Sequence, residues 1–270
     1  MCNLERINIL DVKIHLVCKD LFFSSLETFM NTDRTRVVFT VNPEFIMIAQ
    51  KDIEYLKILN SSDINTCDGI GVCLASKIIY KKNLSRIRGS ELIYDLPEFC
   101  AQHSKSLFLL GGDEISSLKA KEKIQSLCPT IKIANYSPPF LSLADMLKEE
   151  NKIILNKIKT FQPDVLLVAL GPPKQEKWIF KNIEVLSKIG VKIAIGVGGS
   201  FDYLSGKAKE PPNYIRKYGL EWLYRLIQEP WRIKRQMALL VFVFLVLKEW
   251  WGKRQKKQKG MYSKTTHGTK

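Results

Sequence analysis

The 270-residue sequence is poor in the residues from which proteins build metal sites and disulfide frameworks. Its three histidines are scattered, and its six cysteines have irregular spacings with no CxxC pair. Zinc sites and disulfide-rich folds need closely spaced ligands or a regular cysteine pattern. We therefore expect reduced cysteines, no metal site and no cofactor.

Two familiar phosphate-binding motifs are also absent. The sequence contains neither GxxxxGK[ST] nor GxGxxG, which mark P-loop and dinucleotide-binding folds. Any nucleotide ligand must therefore be held by other loops.

Long apolar segments are absent as well. Charges interrupt the first 20 residues, so we expect no signal peptide and a chain whose synthesis ends in the cytoplasm. The longest apolar run is MALLVFVFLVL, residues 237–247. As a helix it would extend for about 16 Å, which is too short to cross a bilayer.

Positive charge is concentrated near the C-terminus. The net charge is +15, and residues 216–270 contain 14 Lys or Arg against three Glu. Trp250, Trp251 and the basic stretch GKRQKKQKG follow the apolar run, a combination typical of a helix at an anionic membrane surface. A buried core helix with a solvated lysine tail is the alternative. The tail has few aromatic residues and the core has no basic stripe, so we expect no nucleic acid partner.

Short β-rich runs alternate with segments of helical period up to about residue 200. This alternation predicts an α/β fold with a mostly parallel, Rossmann-like sheet flanked by helices. The predicted strands are KIHLVC, RVVFTV, SLFLLG, IKIANY, DVLLVAL and KIAIGV. The predicted helices include IGVCLASKIIY, EISSLKAKEKIQSL, KQEKWIFKNIEVLSKI and, as one helix, LADMLKEENKIILNKIKTF.

Three of these strands end in glycine. A single glycine tip is usually a turn, but three at one edge of a parallel sheet favour a phosphate or nucleotide pocket. VALGPPKQEKW, residues 168–178, also brings Lys174, Gln175 and Glu176 toward that edge. The glycines concerned are Gly111, Gly112, Gly171, Gly196, Gly198 and Gly199.

Asp68 and Gly69 lie in CDGIGV, between the short predicted strand SSDINTC and an apolar helix. An isolated Asp-Gly pair is usually a turn. Here Asp68 would face the ligand edge, where a carboxylate can act as a general base toward a hydroxyl, oriented by Thr40 or Asn42 of TVNPEF.

Seven ordered motifs together resemble the WecG/TagA/CpsF glycosyltransferases, from about residue 8 to residue 236. They are TVNPEF, CDGIGV, GSE, FLLGG, GPPKQEKWI, GVGGSFDYLSG and GLEWLYRLIQEPWRIKR. The resemblance implies an inverting, metal-independent enzyme that moves an N-acetylmannosamine-type or related sugar from a UDP donor to an undecaprenyl-diphosphate-linked sugar. It also implies a role in bacterial surface polysaccharide, teichoic acid or common-antigen synthesis, as a peripheral protein on the cytoplasmic face of the membrane.

By the same resemblance, Asp68 is the base, Thr40 and Asn42 lie near it, and C-terminal arginines cover the diphosphate. The predicted substrate-binding residues are Gly69, Gly111, Gly112, Gly171, Gln175, Gly198, Gly199, Asp202, Arg225, Arg232 and Arg235. A basic membrane-facing surface is the alternative reading of the arginines.

We accordingly divide the chain into three parts: a nucleotide-sugar-binding α/β catalytic domain (1–206), a helical appendage with the apolar membrane segment (207–251), and a basic, disordered tail (252–270). The alternative to an enzyme is a non-catalytic module that binds a nucleotide or anionic lipid at the membrane. The sequence leaves the donor sugar, the acceptor and homo-oligomer formation open.

Overall fold

A six-stranded parallel sheet forms the centre of the structure, which confirms the predicted α/β class. The structure is a computed structural model, and it describes residues 4–140, 142–230 and 233–265. The strands are β1 (Arg6–Ile9), β2 (Val12–His15), β3 (Arg36–Val41), β4 (Ile64–Cys67), β5 (Leu107–Gly111), β6 (Ile133–Tyr136), β7 (Val165–Ala169) and β8 (Ile193–Gly196).

Helices connect the strands and form the C-terminal part of the chain. They are α1 (Lys19–Met30), α2 (Pro43–Ala49), α3 (Ile53–Ser61), α4 (Ile70–Tyr80), α5 (Gly89–Gln102), α6 (Glu114–Leu127), α7 (Leu143–Asp145), α8 (Asn151–Phe161), α9 (Lys174–Ile189), α10 (Phe201–Leu204), α11 (Asn213–Tyr218), α12 (Glu221–Gln228) and α13 (Ile233–Thr265).

The strand order is β4-β3-β8-β7-β5-β6, and every neighbouring pair is parallel. All six strands therefore end at one side of the sheet, which we call the carboxyl edge. The chain leaves β5 toward β6 and leaves β7 in the opposite direction, toward β8. Such a reversal opens a crevice at the carboxyl edge, the usual ligand site of open α/β sheets.

Helices cover both faces of the sheet, which explains the continuous apolar runs of its strands. In β3, β5, β7 and β8 every residue is buried. One face packs against α1, α5, α6 and α10, and the other against α2, α3, α4, α8, α9 and α13.

The predicted strand KIHLVC does not join this sheet. Val12–His15 instead pairs antiparallel with Arg6–Ile9 in a hairpin that sequence patterning missed. Leu10 and Asp11 form its two-residue turn with φ of 47° and 64°, the left-handed conformation that a tight hairpin requires. The turn lacks the usual Asn-Gly or Asp-Gly signal, so the sequence did not reveal the hairpin.

The predicted helix LADMLKEENKIILNKIKTF is interrupted. A π-helical segment, Met146–Glu150, joins α7 to α8, and Lys148 within it has φ −90° and ψ −122°. Such a segment changes the rotational phase of a helix. Met146 of the π-helical segment is buried in the same core cluster as Ile154 and Ile158 of α8.

The apolar run of residues 237–247 lies within α13, which extends to Thr265 and so includes much of the predicted basic tail. Phe242 and Val246 are buried on the face of the sheet that α2 and α4 cover. Beyond the run, Glu249 accepts a hydrogen bond from the backbone N–H of Leu10, and Lys253 bonds the Tyr80 hydroxyl at 2.6 Å. Within the described part of the chain, no helix combines the length and the apolar character that crossing a membrane requires.

Candidate active site

Asp68 lies at the carboxyl edge, between the end of β4 and the start of α4. Its backbone N–H donates to the carbonyl of Val41, which fixes the turn against β3. A Cβ on Gly69 would approach Cδ of Pro43 to 2.7 Å, so only glycine allows the first turns of α2 and α4 to pack this closely.

Burial raises the pKa of the Asp68 carboxyl to about 7. The backbone N–H of Gly89, 3.5 Å from Oδ2, and the charges of Arg88 and Arg86 oppose this rise, whereas Glu221 adds to it. A carboxyl group with a pKa close to neutral is suited to accept a proton from a substrate hydroxyl.

Arg86 and Arg88 flank Asp68, although we did not predict them as site residues. The segment before α5 runs beside the end of β4, where the Ile87 N–H donates to the Cys67 carbonyl at 2.9 Å. Both guanidinium groups bind Oε1 of Glu221, the first residue of α12. The only sequence signal was RIRGSE, two alternating arginines directly before a helix start.

The hydrogen bonds of Thr40 and Asn42 tie the backbone together beside Asp68. The Thr40 hydroxyl donates to the carbonyl of Gly196 at 3.0 Å, which joins β3 to β8. The Asn42 side chain caps α2 by accepting from the N–H groups of Glu44 and Phe45. The two residues therefore shape the floor of the edge next to Asp68, and a direct orienting contact to its carboxyl stays a prediction.

The predicted glycine tips lie together along the carboxyl edge. At the crevice between β5 and β7, Gly111 has φ +104°, and a Cβ there would approach the Ala169 carbonyl oxygen to 2.6 Å. Gly198, after β8, has φ +58°. At several points the edge therefore has no side chain, which allows a ligand to approach the backbone closely. Of the other predicted glycine tips, Gly112 and Gly171 have positive φ and Gly199 has φ −80°.

Gln175 and Glu176 turn inward below this edge, whereas the sequence placed them on it. Both are fully buried. Oε1 of Gln175 accepts from the Gly198 N–H at 3.0 Å, and its Nε2 donates to Glu176, which also accepts from the Tyr55 hydroxyl at 3.1 Å. Gln175 thus holds the glycine turn after β8 from beneath. Burial raises the pKa of Glu176 to about 7.

Arg225, on the last turn of α12, lies over the ring of Tyr203, 4.8 Å from its centroid. Its Nε and Nη2 atoms are buried and have no hydrogen-bond partner among the residues that the structure describes. Tyr203 follows Asp202, whose Oδ2 lies 3.5 Å from the position that a Cβ on Gly199 would occupy. Arg225 is therefore close to the glycine turn after β8. Arg232 and the side chain of Arg235 lie outside the described residues.

Helices α11 and α12 join the Asp68 end of the edge. Gly219, between them, has φ +72°, and a Cβ there would lie 2.6 Å from Cβ of Ile70, the residue after Gly69. Together with the Glu221 ion pairs, this contact places the C-terminal helices directly beside the Asp68 turn.

The sequence profile of the Glycosyl transferase WecG/TagA/CpsF family matches residues 7–256. The chain belongs to this family. The protein is therefore a glycosyltransferase, and the match includes nearly all of the hairpin, the carboxyl edge and most of α13.

Two bacterial proteins resemble this WecG/TagA/CpsF family member over most of their length. A Bacillus subtilis (strain 168) protein is 36% identical over 228 residues, which cover 84% of this chain and 83% of the relative. A Staphylococcus aureus (strain MRSA252) protein is 28% identical over 248 residues, 91% of this chain and 94% of the relative. Both are named N-acetylglucosaminyldiphosphoundecaprenol N-acetyl-beta-D-mannosaminyltransferase.

The described part of this WecG/TagA/CpsF member contains no group of three or more His, Cys, Asp or Glu side chains that could hold a metal ion. The charged groups around Asp68 and the Gly198 turn are arginines and carboxylates. The arginines are the groups there that can interact favourably with an anion.

Proposed function

We propose that this protein transfers an N-acetylmannosamine-type sugar from UDP to N-acetylglucosamine carried on undecaprenyl diphosphate, with inversion and without a metal ion. The acceptor and the sugar are those in the names of the two relatives. The observation that carries the proposal is Asp68, a carboxyl with a pKa of about 7 at the carboxyl edge of a parallel sheet, flanked by arginines.

Asp68 acts as the general base in this mechanism. It removes the proton from the acceptor hydroxyl as the hydroxyl oxygen attacks the anomeric carbon of the donor sugar. The new C–O bond forms on the face opposite the bond to UDP, which breaks with its electron pair on the diphosphate. A single displacement of this kind inverts the anomeric centre.

Positive groups stabilise the departing UDP. Nε of Arg225 is buried without a hydrogen-bond partner among the described residues, and its Nη2 lies 4.0 Å from Glu229, so the guanidinium group can donate to the diphosphate. Preorganised donors of this kind stabilise charge that develops in the transition state. Arg232 and Arg235 are the further candidates that the family motif supplies.

The acceptor lipid lies in a membrane, and α13 offers a surface for it. Opposite the buried Phe242 and Val246, apolar side chains are exposed at helical spacing, among them Met237, Leu240, Phe244 and Trp251. We call these four residues the outer stripe. With Lys248 and the basic residues that follow, the outer stripe suits a helix lying in the interface of an anionic leaflet on the cytoplasmic side.

A donor panel tests the proposed function. Purified full-length protein, with vesicles of anionic phospholipid, is incubated with UDP-N-acetylmannosamine or other UDP-sugars and an N-acetylglucosaminyl-diphosphoryl-prenol. We expect a β-linked disaccharide product from UDP-N-acetylmannosamine, at a rate that EDTA does not change. Asp68→Asn serves as the inactive control.

Two results would contradict parts of this proposal. Activity that EDTA abolishes and magnesium or manganese restores would rule out the metal-independent mechanism. If the protein binds UDP-sugar or vesicles but forms no glycoside with any donor, it is a binding module instead of a transferase.

A further inference from the structure

Two thiols lie in contact directly beside the Asp68 turn. Sγ of Cys67, the last residue of β4, is 2.8 Å from Sγ of Cys73 on the first turns of α4. Asp68 and Gly69 lie between them in the chain, so the pair spans the turn that carries the proposed base.

The two thiols differ in exposure and acidity. Cys67 is 1% exposed, whereas Cys73 is only half-buried. The hydrogen bond from Cys67 and the charge of Arg86 lower the pKa of Cys73. Thiolate character and access to solvent decide which cysteine is oxidised first, and both favour Cys73.

We propose that Cys67 and Cys73 form a reversible modification site, at which a hydroperoxide converts the two thiols to a disulfide and displaces Asp68. The effect on catalysis rests on the proposed function, whereas formation of the disulfide does not.

The chemistry needs only the two thiols and a hydroperoxide. The Cys73 sulfur attacks one oxygen of hydrogen peroxide, the O–O bond breaks, and a sulfenic acid forms with release of water. The Cys67 sulfur then attacks the Cys73 sulfur, the S–O bond breaks, and a second water leaves. The two thiols lose two electrons and two protons, and the peroxide is reduced to water.

The geometry makes closure feasible and gives it a local consequence. Because a disulfide bond is about 2.05 Å long, the sulfur atoms need to approach by only about 0.75 Å. Oxidation also removes the Cys67 proton that joins the two sulfur atoms and the Cys73 proton that contacts the Leu84 carbonyl. The new bond ties β4 to α4 across Asp68, so the carboxyl moves relative to Arg86 and Gly89.

The test treats the reduced full-length protein with hydrogen peroxide, blocks free thiols, and maps disulfides by peptide mass spectrometry. Transferase activity is measured in parallel before and after dithiothreitol. We expect a Cys67–Cys73 disulfide and an activity loss of about tenfold or more, since a misplacement of ~1 Å at a reacting group can cost on the order of 10²-fold. Dithiothreitol restores the activity.

Matched variants separate this site from general oxidation. Cys73→Ser keeps its activity under reducing conditions and resists peroxide, whereas Cys18→Ser, at an exposed thiol, responds like the wild type. If Cys73→Ser is poorly folded, Cys67→Ala tests the same point.

Two outcomes would overturn the inference. One is the absence of the Cys67–Cys73 disulfide at peroxide concentrations that oxidise Cys18. The other is a disulfide that forms without a change in activity. A reduced protein that is inactive with all donors refutes the proposed function alone, because the peptide map still reports on the thiols.

Discussion

Glu221 of α12 forms an ion pair with Arg86, more than a hundred residues earlier in the chain, and the same carboxylate oxygen also binds Arg88. The positive charges of the two arginines lower the pKa of Asp68, whereas the negative charge of Glu221 raises it. The C-terminal helices therefore influence the protonation of the proposed base.

The first prediction concerns this pairing. Glu221→Gln removes the negative charge that neutralises Arg86 and Arg88, so the pKa of Asp68 falls and its carboxyl ionises at lower pH. The acidic limb of kcat/KM against pH should move to lower pH by up to about one unit. The exposed carboxylate of Glu122 provides the control, since Glu122→Gln leaves the limb in place. A profile unchanged in Glu221→Gln would show that α12 does not tune Asp68.

The second prediction concerns Asp68 itself. In Asp68→Asn the base is lost, and turnover should fall by about 10² to 10⁴. The folded protein raises the Asp68 pKa from 3.8 to about 7, so between these pH values it retains a proton that the unfolded chain has released. The free energy of unfolding contributed by this group therefore decreases as pH rises through that range.

Asparagine carries no charge and avoids this cost. Thermal unfolding at pH 8 should give Asp68→Asn a melting temperature equal to or above that of the wild type. An active variant, or one that melts well below the wild type, would contradict the assignment of Asp68 as a partly buried general base.

The third prediction concerns the hydrogen bonds that link Tyr55, through Glu176 and Gln175, to the Gly198 turn after β8. Tyr55→Phe removes a donor from the buried Glu176, which should lower the free energy of unfolding by about 1–3 kcal/mol. Because Glu176 positions Gln175, and Gln175 holds the Gly198 N–H, the variant should also bind the UDP-sugar more weakly, as measured by calorimetry.

Tyr136→Phe is the matched control, since Tyr136 lies on the outermost strand, β6, and its hydroxyl donates to Glu150 of the π-helical segment. Equal loss of donor affinity in both variants would mean that the Tyr55 chain has no specific influence on the site.

The fourth prediction separates the two sides of α13. Phe242 is 1% exposed and Phe244 is 65% exposed. Phe242→Ala should destabilise the fold by about 3–5 kcal/mol, because it leaves a cavity against the core. The double variant Leu240→Ser/Phe244→Ser should retain its melting temperature but lose binding to anionic vesicles in a sedimentation assay.

Activity of that double variant on a short-chain, water-soluble acceptor should remain, while activity on the membrane-embedded acceptor falls. Equal loss on both acceptors would indicate that the outer stripe belongs to the catalytic fold. Truncation of α13 is a poorer test, since it would also expose the core that Phe242 and Val246 cover.

Local sequence pattern was sufficient for most of the fold. The helices IGVCLASKIIY, EISSLKAKEKIQSL and KQEKWIFKNIEVLSKI are observed with the predicted bounds, because each has a helical period and a clear stop. The parallel sheet was predictable because strands covered on both faces are apolar at nearly every position.

Long-range contacts and helix phase were not predictable in the same way. No local pattern pairs Glu221 with Arg86, since charge pairing over such a separation leaves no periodic signal. Gln175 and Glu176 lie beside a glycine tip, yet the phase of α9 turns them into the core. The run at residues 237–247 is apolar on all sides, so its composition does not tell which side packs on α2 and α4.

The packing of α13 against α4 also bears on the distance between Asp68 and the proposed membrane surface. Leu239 and Phe242 lie 3.6 and 3.5 Å from the position of a Cβ on Gly71, three residues after Asp68. If the outer stripe rests on a membrane, as proposed, about one helix diameter, ~10 Å, would separate the bilayer surface from the Asp68 turn. A sugar joined to the lipid through a diphosphate stands at that level, whereas the outer end of a long glycan projects beyond it. The enzyme would thus select acceptors by their distance from the membrane and act on chains that are still short.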